Sequence, residues 1–150
     1  MTWRGDVYRA AAEEHITSLG DLYKSRRYVL AHYVAGLAVE CMLRAYRCRW
    51  DSTFHERHDL RELARQGRFL DVVPSQRASA IGAALGEVVT RWENQHRFRS
   101  GDALRDFLLG RAFDRRIKGD FVKESARRII NAAIELVTLG AMQWKRSKRG

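Results

Sequence analysis

An arginine and a histidine separated by four residues are the pair in this sequence best suited to chemistry. Arg91 and His96 enclose residues 92–95. The planar guanidinium of arginine can hold a phosphate through paired hydrogen bonds, whereas imidazole titrates near neutral pH and can transfer a proton. Cleavage of RNA by its own 2′-hydroxyl requires these two functions. That chemistry needs neither a metal ion nor a cofactor, and we expect none.

Whether Arg91 and His96 can act together depends on the helix that carries them. The apolar spacing from about Gln76 to Trp92 predicts a helix, with Ser75 as its N-cap. On a continuous helix, positions five apart point roughly 140° away from each other. The two side chains therefore converge only if the helix ends between them or if two chains contribute. We expect a homodimer.

Other candidate residues are weaker. Arg49 and His55 form a second arginine–histidine pair, but they lie between the second predicted helix and a short one. His55 and His58, with Cys48 nearby, lack a fourth ligand and match no common zinc spacing, so we expect no metal site. Glu40 lies in an apolar helix, where it would either orient Arg91 or His96 or form a structural ion pair.

The chain is strongly basic. Its 28 Lys and Arg residues against 18 Asp and Glu give a formal net charge of +10. Such a surplus attracts polyanions, which makes RNA the first partner to consider, although a basic face can also be simply solvated. The basic tail 145–150 has the same two interpretations. The side chains that we expect to contact RNA lie after Arg91: Arg97, Arg99, Arg115, Arg116 and Lys118.

Cysteine spacing and hydropathy predict a cytoplasmic protein. Cys41 and Cys48 are seven residues apart in one predicted helix, so their Cα atoms would be about 10 Å apart, too far for a disulfide. The first residues show no charged-then-apolar leader, and no apolar stretch is long enough to span a bilayer. We expect no membrane association.

The residues that surround the arginine–histidine pair predict an all-α single domain over 1–150. Proline occurs once, and residues that favour helices are plentiful. The pattern resembles an antiparallel bundle of four main helices plus short ones. The predicted helices are Asp6 to about Lys24, Tyr28–Tyr46, Asp59–Gln66, about Gln76–Trp92, a short insert Ala103–Phe113, and Asp120–Trp144, and we expect loops at 47–54 and 114–119.

Three stretches of the sequence together resemble the HEPN superfamily of helical-bundle proteins. The first is the second predicted helix, the next is the short segment His58–Leu63, and the last is Trp92–Phe98. The matching positions of the second helix are Tyr28, His32, Tyr33, Ala35, Gly36, Leu37, Ala38, Glu40 and Leu43.

The resemblance implies a four- to five-helix bundle that dimerises with two motifs facing each other. HEPN nucleases carry an arginine followed, after four to six residues, by a histidine, so Arg91 and His96 would be the active pair. Many members are metal-independent endoribonucleases in toxin–antitoxin, phage-defence or RNA-processing systems. The residue after the motif arginine is often small and polar in those nucleases, whereas this chain has Trp92, with Asn94 as the nearest polar substitute.

The sequence and the resemblance together predict a metal-independent endoribonuclease of toxin or defence type, with an antitoxin or a nucleotidyltransferase as a possible partner. The alternative is a catalytically silent HEPN-like interaction module that binds a partner protein or a nucleotidyltransferase, since some members of the family have no nuclease activity.

Overall fold

The computed structural model describes residues 4–50, 59–110 and 120–147, and within these ranges the chain forms helices and turns but no strand. The prediction of an all-α fold is confirmed. The α-helices of this part are α1 Gly5–Thr17, α2 Leu19–Lys24, α3 Tyr28–Trp50, α4 Leu60–Gln66, α5 Ala78–Arg91, α6 Gly101–Gly110 and α7 Phe121–Ser147; short 3-10 turns span Phe69–Val72, Ser75–Arg77 and Asn94–Phe98.

The first predicted helix is divided into α1 and α2. The division falls at Ser18, whose backbone N–H donates to the carbonyl oxygen of His15 at 3.2 Å in a tightened final turn. Gly20, where the sequence would allow the predicted helix to loosen, lies inside α2.

Helix α3 is the centre of the fold. It packs against α1, α4 and α7, and residues all around its circumference are buried, as its apolar sequence predicts. Tyr46 lies at the centre of an aromatic cluster, with its ring centroid 5.2 Å from those of both Phe69 and Trp144. The Tyr46 hydroxyl donates to the carbonyl oxygen of Gly140 at 2.6 Å, which connects α3 to α7.

The predicted loop at 47–54 is wrong over its first four residues, because α3 continues to Trp50; residues 51–58 lie outside the described part. Side chains in the last turn of α3 contact neighbouring segments. Arg47 Nε donates to Gln66 Oε1 at 2.7 Å, and Trp50 Nε1 donates to the carbonyl oxygen of Gly67 at 3.0 Å. The guanidinium of Arg49 lies 3.6 Å from the ring centroid of Trp144. These contacts stabilise a helical turn that local composition does not predict.

The short helix α4 begins and ends as the sequence predicts. Asp59 is its N-cap and accepts a hydrogen bond from the backbone N–H of Glu62 at 3.1 Å. Gly67 follows its last residue, and a Cβ there would lie 2.9 Å from the backbone nitrogen of Arg47. Glycine is therefore required because α3 passes so close.

Helix α5 starts at Ala78, two residues later than predicted, because Ser75–Arg77 forms a 3-10 turn. Ser75 does not cap α5, whose N-cap position is Arg77 with no side-chain hydrogen bond. Gly82 and Gly86, whose spacing of four residues would suggest close contact with another helix, make none, since a Cβ at either position would meet nothing within 4 Å.

Helices α6 and α7 enclose the side of the fold that carries the candidate site. Leu104 and Leu108, one turn apart on α6, are fully buried. Asp120 caps α7 as predicted, its carboxylate accepting from the backbone N–H of Lys123 at 3.0 Å. Helix α7 continues through Ser147, so the basic tail predicted after Trp144 begins in helical form. The predicted turn at 114–119 lies outside the described residues.

Candidate active site

Helix α5 ends at Arg91, so the chain turns between the two residues of the arginine–histidine pair. The backbone of Trp92 is extended (φ −121°, ψ 139°), and His96 lies in the following 3-10 turn, Asn94–Phe98. The structure thus meets, within one chain, the first of the two conditions for convergence: a helix end between Arg91 and His96. A second chain is not needed to bring the two residues to one region.

Trp92 fixes the position of this helix end. Its indole fills the space above Gly36 of α3, where any Cβ would overlap the ring. The indole N–H donates to the carbonyl oxygen of Tyr33 at 3.0 Å, and the rings of Tyr33 and Trp92 stack with their centroids 6.1 Å apart. The bulky residue that departs from the nuclease motif is therefore a core residue, and it holds Arg91 in place.

The side chain of Arg91 is completely buried between a surface carboxylate and a buried hydroxyl. Its Nε donates to Glu87 Oε2 at 2.6 Å, and its Nη1 donates to Ser125 Oγ of α7 at 3.1 Å. The side chain of Glu87 is 41% exposed. The guanidinium therefore lies just beneath the surface, with its charge partly balanced from the solvent side.

His96 is held by the backbone of its own turn. Its Nδ1 accepts a hydrogen bond from the backbone N–H of Glu93 at 3.3 Å, and the Glu93 side chain accepts from the N–H of His96 in return, which makes a reciprocal cap. Because Nδ1 is an acceptor, the neutral ring carries its proton on Nε2. The ring also packs edge-on against Phe107 of α6, with 4.7 Å between the ring centroids. The neutral ring of His96 therefore presents an N–H donor at Nε2.

A second histidine, which the sequence analysis did not single out, completes the cluster. His32 of α3 is fully buried, and its Nε2 lies 3.0 Å from Ser125 Oγ. The ring centroids of His32 and His96 are 5.5 Å apart. Since Ser125 accepts from Arg91, its own hydroxyl proton is left to donate to His32. We call the four residues His32, Arg91, His96 and Ser125 the buried polar cluster.

Burial keeps His32 neutral. It lowers the pKa of His32 to about 3, and the neighbouring His96 and Arg91 add to this shift. The cluster therefore contains one permanent cation and an uncharged imidazole that can accept a proton when an anion approaches.

The acid stability of the protein is expected to depend on His32. Its pKa is about 3 in the folded protein but near 6.5 when unperturbed, so between these values the unfolded chain binds more protons. The free energy of unfolding should be fully retained above about pH 6.5 and should fall as the pH drops, by up to about 1.4 kcal/mol per pH unit.

Urea unfolding between about pH 6.5 and 4.5, above the range in which most carboxylates titrate, measures this slope. A His32→Asn variant should be less stable at neutral pH and should lose most of the slope. His15→Asn, on the partly exposed end of α1, is the matched control and should keep it. An unchanged slope in His32→Asn would show that His32 is not the responsible group.

The other candidate residues are distributed as follows. Glu40 is buried and pairs with Arg44 one turn along the same helix at 3.5 Å. It lies two helical turns from His32, about 12 Å along the axis. Asn94 is half-buried at the start of the 3-10 turn.

Of the expected RNA contacts, Arg99 is half-buried. It pairs with Glu93 at 3.3 Å, and its guanidinium lies 4.7 Å from the ring centroid of Phe107. Arg97 lies in the same 3-10 turn as His96. The remaining three, Arg115, Arg116 and Lys118, are outside the described residues.

Chemically, the cluster combines a phosphate clamp, a proton donor and a proton acceptor. In the structure no member is more than 1% exposed, and the ring of Phe107 on α6 packs against His96. A substrate phosphate can therefore reach the cluster only after a neighbouring side chain or helix moves.

Two further features bear on function. Across residues 4–50, 59–110 and 120–147, no group of three or more His, Cys, Asp and Glu side chains could hold a metal ion. No helix in these ranges is both long enough and apolar enough to cross a bilayer.

Cys41 and Cys48 do not form a disulfide with each other, and burial raises the pKa of Cys41 to about 11.

Comparison of the chain with protein-family models, with curated proteins and with solved structures finds no match.

Proposed function

We propose that this protein is a HEPN-like helical bundle that cuts RNA without a metal ion, using Arg91 and His96. The observation that carries the proposal is the buried polar cluster itself: Arg91 and His32 meet at the hydroxyl of Ser125, and the ring of His96 packs against that of His32. Three stretches far apart in the sequence contribute these side chains, and buried polar clusters of this kind concentrate at functional sites.

The geometry assigns a different part of the reaction to each side chain. His32 accepts the proton of the 2′-hydroxyl through Ser125: the substrate proton moves to Ser125 Oγ as the Ser125 hydroxyl proton moves to His32 Nε2, and the 2′-oxygen then forms a bond to phosphorus. Once the site is open, His96 takes a proton from solution on Nδ1, and this imidazolium donates its Nε2 proton to the 5′-oxygen as the bond from phosphorus to that oxygen breaks. Arg91 stabilises the negative charge that grows on the phosphate. The products are a 2′,3′-cyclic phosphate and a free 5′-hydroxyl.

In this proposal His32 accepts the proton of the 2′-hydroxyl within one chain. The sequence alone would assign that step to a second His96 from a partner chain. The homodimer stays a prediction that rests on the family resemblance. Light scattering or sedimentation at about twice the 17.4 kDa chain mass would support it.

We infer that a displacement of α6 opens the site, and that it begins at Phe107. Phe107 covers His96, while Arg99 lies over the other part of the Phe107 ring and pairs with Glu93. An RNA phosphate that drew Arg99 away from Glu93 would remove one contact that holds Phe107 over the site. The expected RNA contact at Arg99 would therefore be coupled to opening of the site.

The direct test is cleavage of a single-stranded RNA by purified protein in excess EDTA. We expect cleavage to continue and every upstream product to end in a 2′,3′-cyclic phosphate, detected by mass spectrometry. Cleavage that stops with EDTA and returns with magnesium, or products that end in a 3′-hydroxyl, would overturn the mechanism.

One observation favours the second candidate function, a catalytically silent module that binds a partner protein or a nucleotidyltransferase. Each member of the buried polar cluster hydrogen-bonds within the chain, and none is exposed by more than 1%. A structural cluster would look the same. Under this alternative the wild-type protein cuts no RNA under any condition, and substitutions in the cluster change only its stability.

A further inference from the structure

A polar cavity lies next to the buried polar cluster. It has a volume of about 430 Å³ and opens between the α2–α3 turn and the first turns of α6 and α7. Its walls include Tyr28 and Val29 of α3 and Phe121 and Val122 of α7. The size is within the range of small-ligand sites.

The cavity and the cluster lie one helical turn apart on two helices. Tyr28 is four residues before His32 on α3, and Phe121 is four residues before Ser125 on α7. Residues at this spacing share a helix face and are separated by about 6 Å along the axis. A ligand that fills the cavity would therefore lie beside the space in which the proposed cleavage takes place.

Two exposed arginines line the cavity, Arg26 before α3 and Arg105 on α6. Neither forms an ion pair with any of the described residues, although Asp102 and Asp120 line the same cavity. Asp120 already accepts a hydrogen bond as the cap of α7. An incoming anion can therefore pair with both guanidinium groups without displacing a described carboxylate.

Arg26 also occupies a backbone conformation that favours glycine. Its φ is 59°, and it lies two residues after the end of α2, where its N–H donates to the carbonyl oxygen of Tyr23 at 3.0 Å. A non-glycine residue in the left-handed region costs about 1 kcal/mol. Glycine would therefore fit this position with less strain than arginine.

We propose that this cavity binds one nucleotide of the RNA beside the scissile phosphate. Arg26 and Arg105 hold its phosphate, and the ring of Tyr28 packs against its base. Carboxylates accept hydrogen bonds from the exocyclic amino groups of bases, so Asp102 favours cytosine over uracil. The inference rests on the proposed function, since it names a part of the substrate for the same site.

The test uses cytidine 3′-monophosphate as the probe, with uridine 3′-monophosphate for comparison. Binding is measured by calorimetry and by the amide chemical shifts of Val29, Gly101 and Val122. The protein carries His96→Asn, so that the measurement does not depend on cleavage. We expect the cytidine nucleotide to bind at least several-fold more tightly than the uridine nucleotide. Equal binding would overturn the role of Asp102.

Two glycine substitutions separate the role of Arg26 from its effect on folding. Arg26→Gly should raise the melting temperature, because glycine relieves the positive φ, and should weaken nucleotide binding about tenfold. Arg68→Gly is the matched control, since Arg68 also has a positive φ (52°) but stacks on Trp50 outside the cavity. It should leave nucleotide binding unchanged.

The outcomes distinguish this inference from the function on which it rests. Cleavage of RNA by the wild-type protein without nucleotide binding, or with full binding in Arg26→Gly, would reject the cavity and leave the proposed function standing. Nucleotide binding that is lost in Arg26→Gly, in a protein that cuts no RNA, would support the cavity and reject the cleavage.

Discussion

A His96→Asn substitution is expected to lower the rate of RNA cleavage by about 10²–10⁴-fold while the protein stays folded. Asparagine Oδ1 can take the place of imidazole Nδ1 and accept from the backbone N–H of Glu93, which preserves the cap of the 3-10 turn. The proton that His96 carries on Nε2 is lost. The substitution therefore removes the proposed proton donor and keeps the local structure.

The measurement is a single-turnover cleavage rate, taken together with a circular dichroism melt of the same sample. His15→Asn is the matched control, because His15 lies at the end of α1 and makes no contact with the cluster that the mechanism uses. We expect it to cut at the wild-type rate. Cleavage by His96→Asn within a few-fold of wild type would show that another residue is the proton donor.

The largest effect on stability is expected for Gly36→Ala. The added methyl group would overlap the indole of Trp92, and neither α3 nor the end of α5 can move without disturbing the core. We expect a loss of about 3 kcal/mol in the free energy of unfolding, at the upper end of the usual cost of overpacking. Urea unfolding followed by Trp fluorescence measures it.

Two further variants make the Gly36 prediction specific. Gly82→Ala, in the exposed part of α5 where a Cβ meets nothing, should stabilise the protein by about 0.5–1 kcal/mol. Adding Trp92→Phe to Gly36→Ala should recover part of the loss, because the smaller ring leaves room for the methyl group. If Gly36→Ala unfolds like wild type, the close packing of Trp92 on α3 is not present in solution.

The sequence predicts the helices well because their signals are local. The cap of α4 at Asp59 and the cap of α7 at Asp120 follow from residue type and position alone. The end of α5 is predicted within one residue. The extension of α3 to Trp50 is not predicted, since the partners of its last turn come from α4 and α7.

Only part of the candidate site can be predicted, because signals in the sequence are local. Arg91 and His96 are recognisable because they are neighbours in sequence, but His32 and Ser125 are 93 residues apart. Their hydrogen bond depends on how α3 and α7 pack. The sequence does contain a signal for His32, namely a histidine in an apolar helix four residues before Gly36. That signal indicates the site only when Trp92 is known to pack on Gly36.

Because Ser125 belongs to α7, the buried polar cluster is completed only late in the synthesis of the chain. A ribosome releases His32, Arg91 and His96 first, and domains generally fold as units once their chain has emerged. Until α7 follows, the hydroxyl group that Arg91 and His32 share is absent and the central helix lacks one of its main neighbours. Under the proposed function, the growing chain would be unable to cut the RNA of the ribosome or the message that produces it.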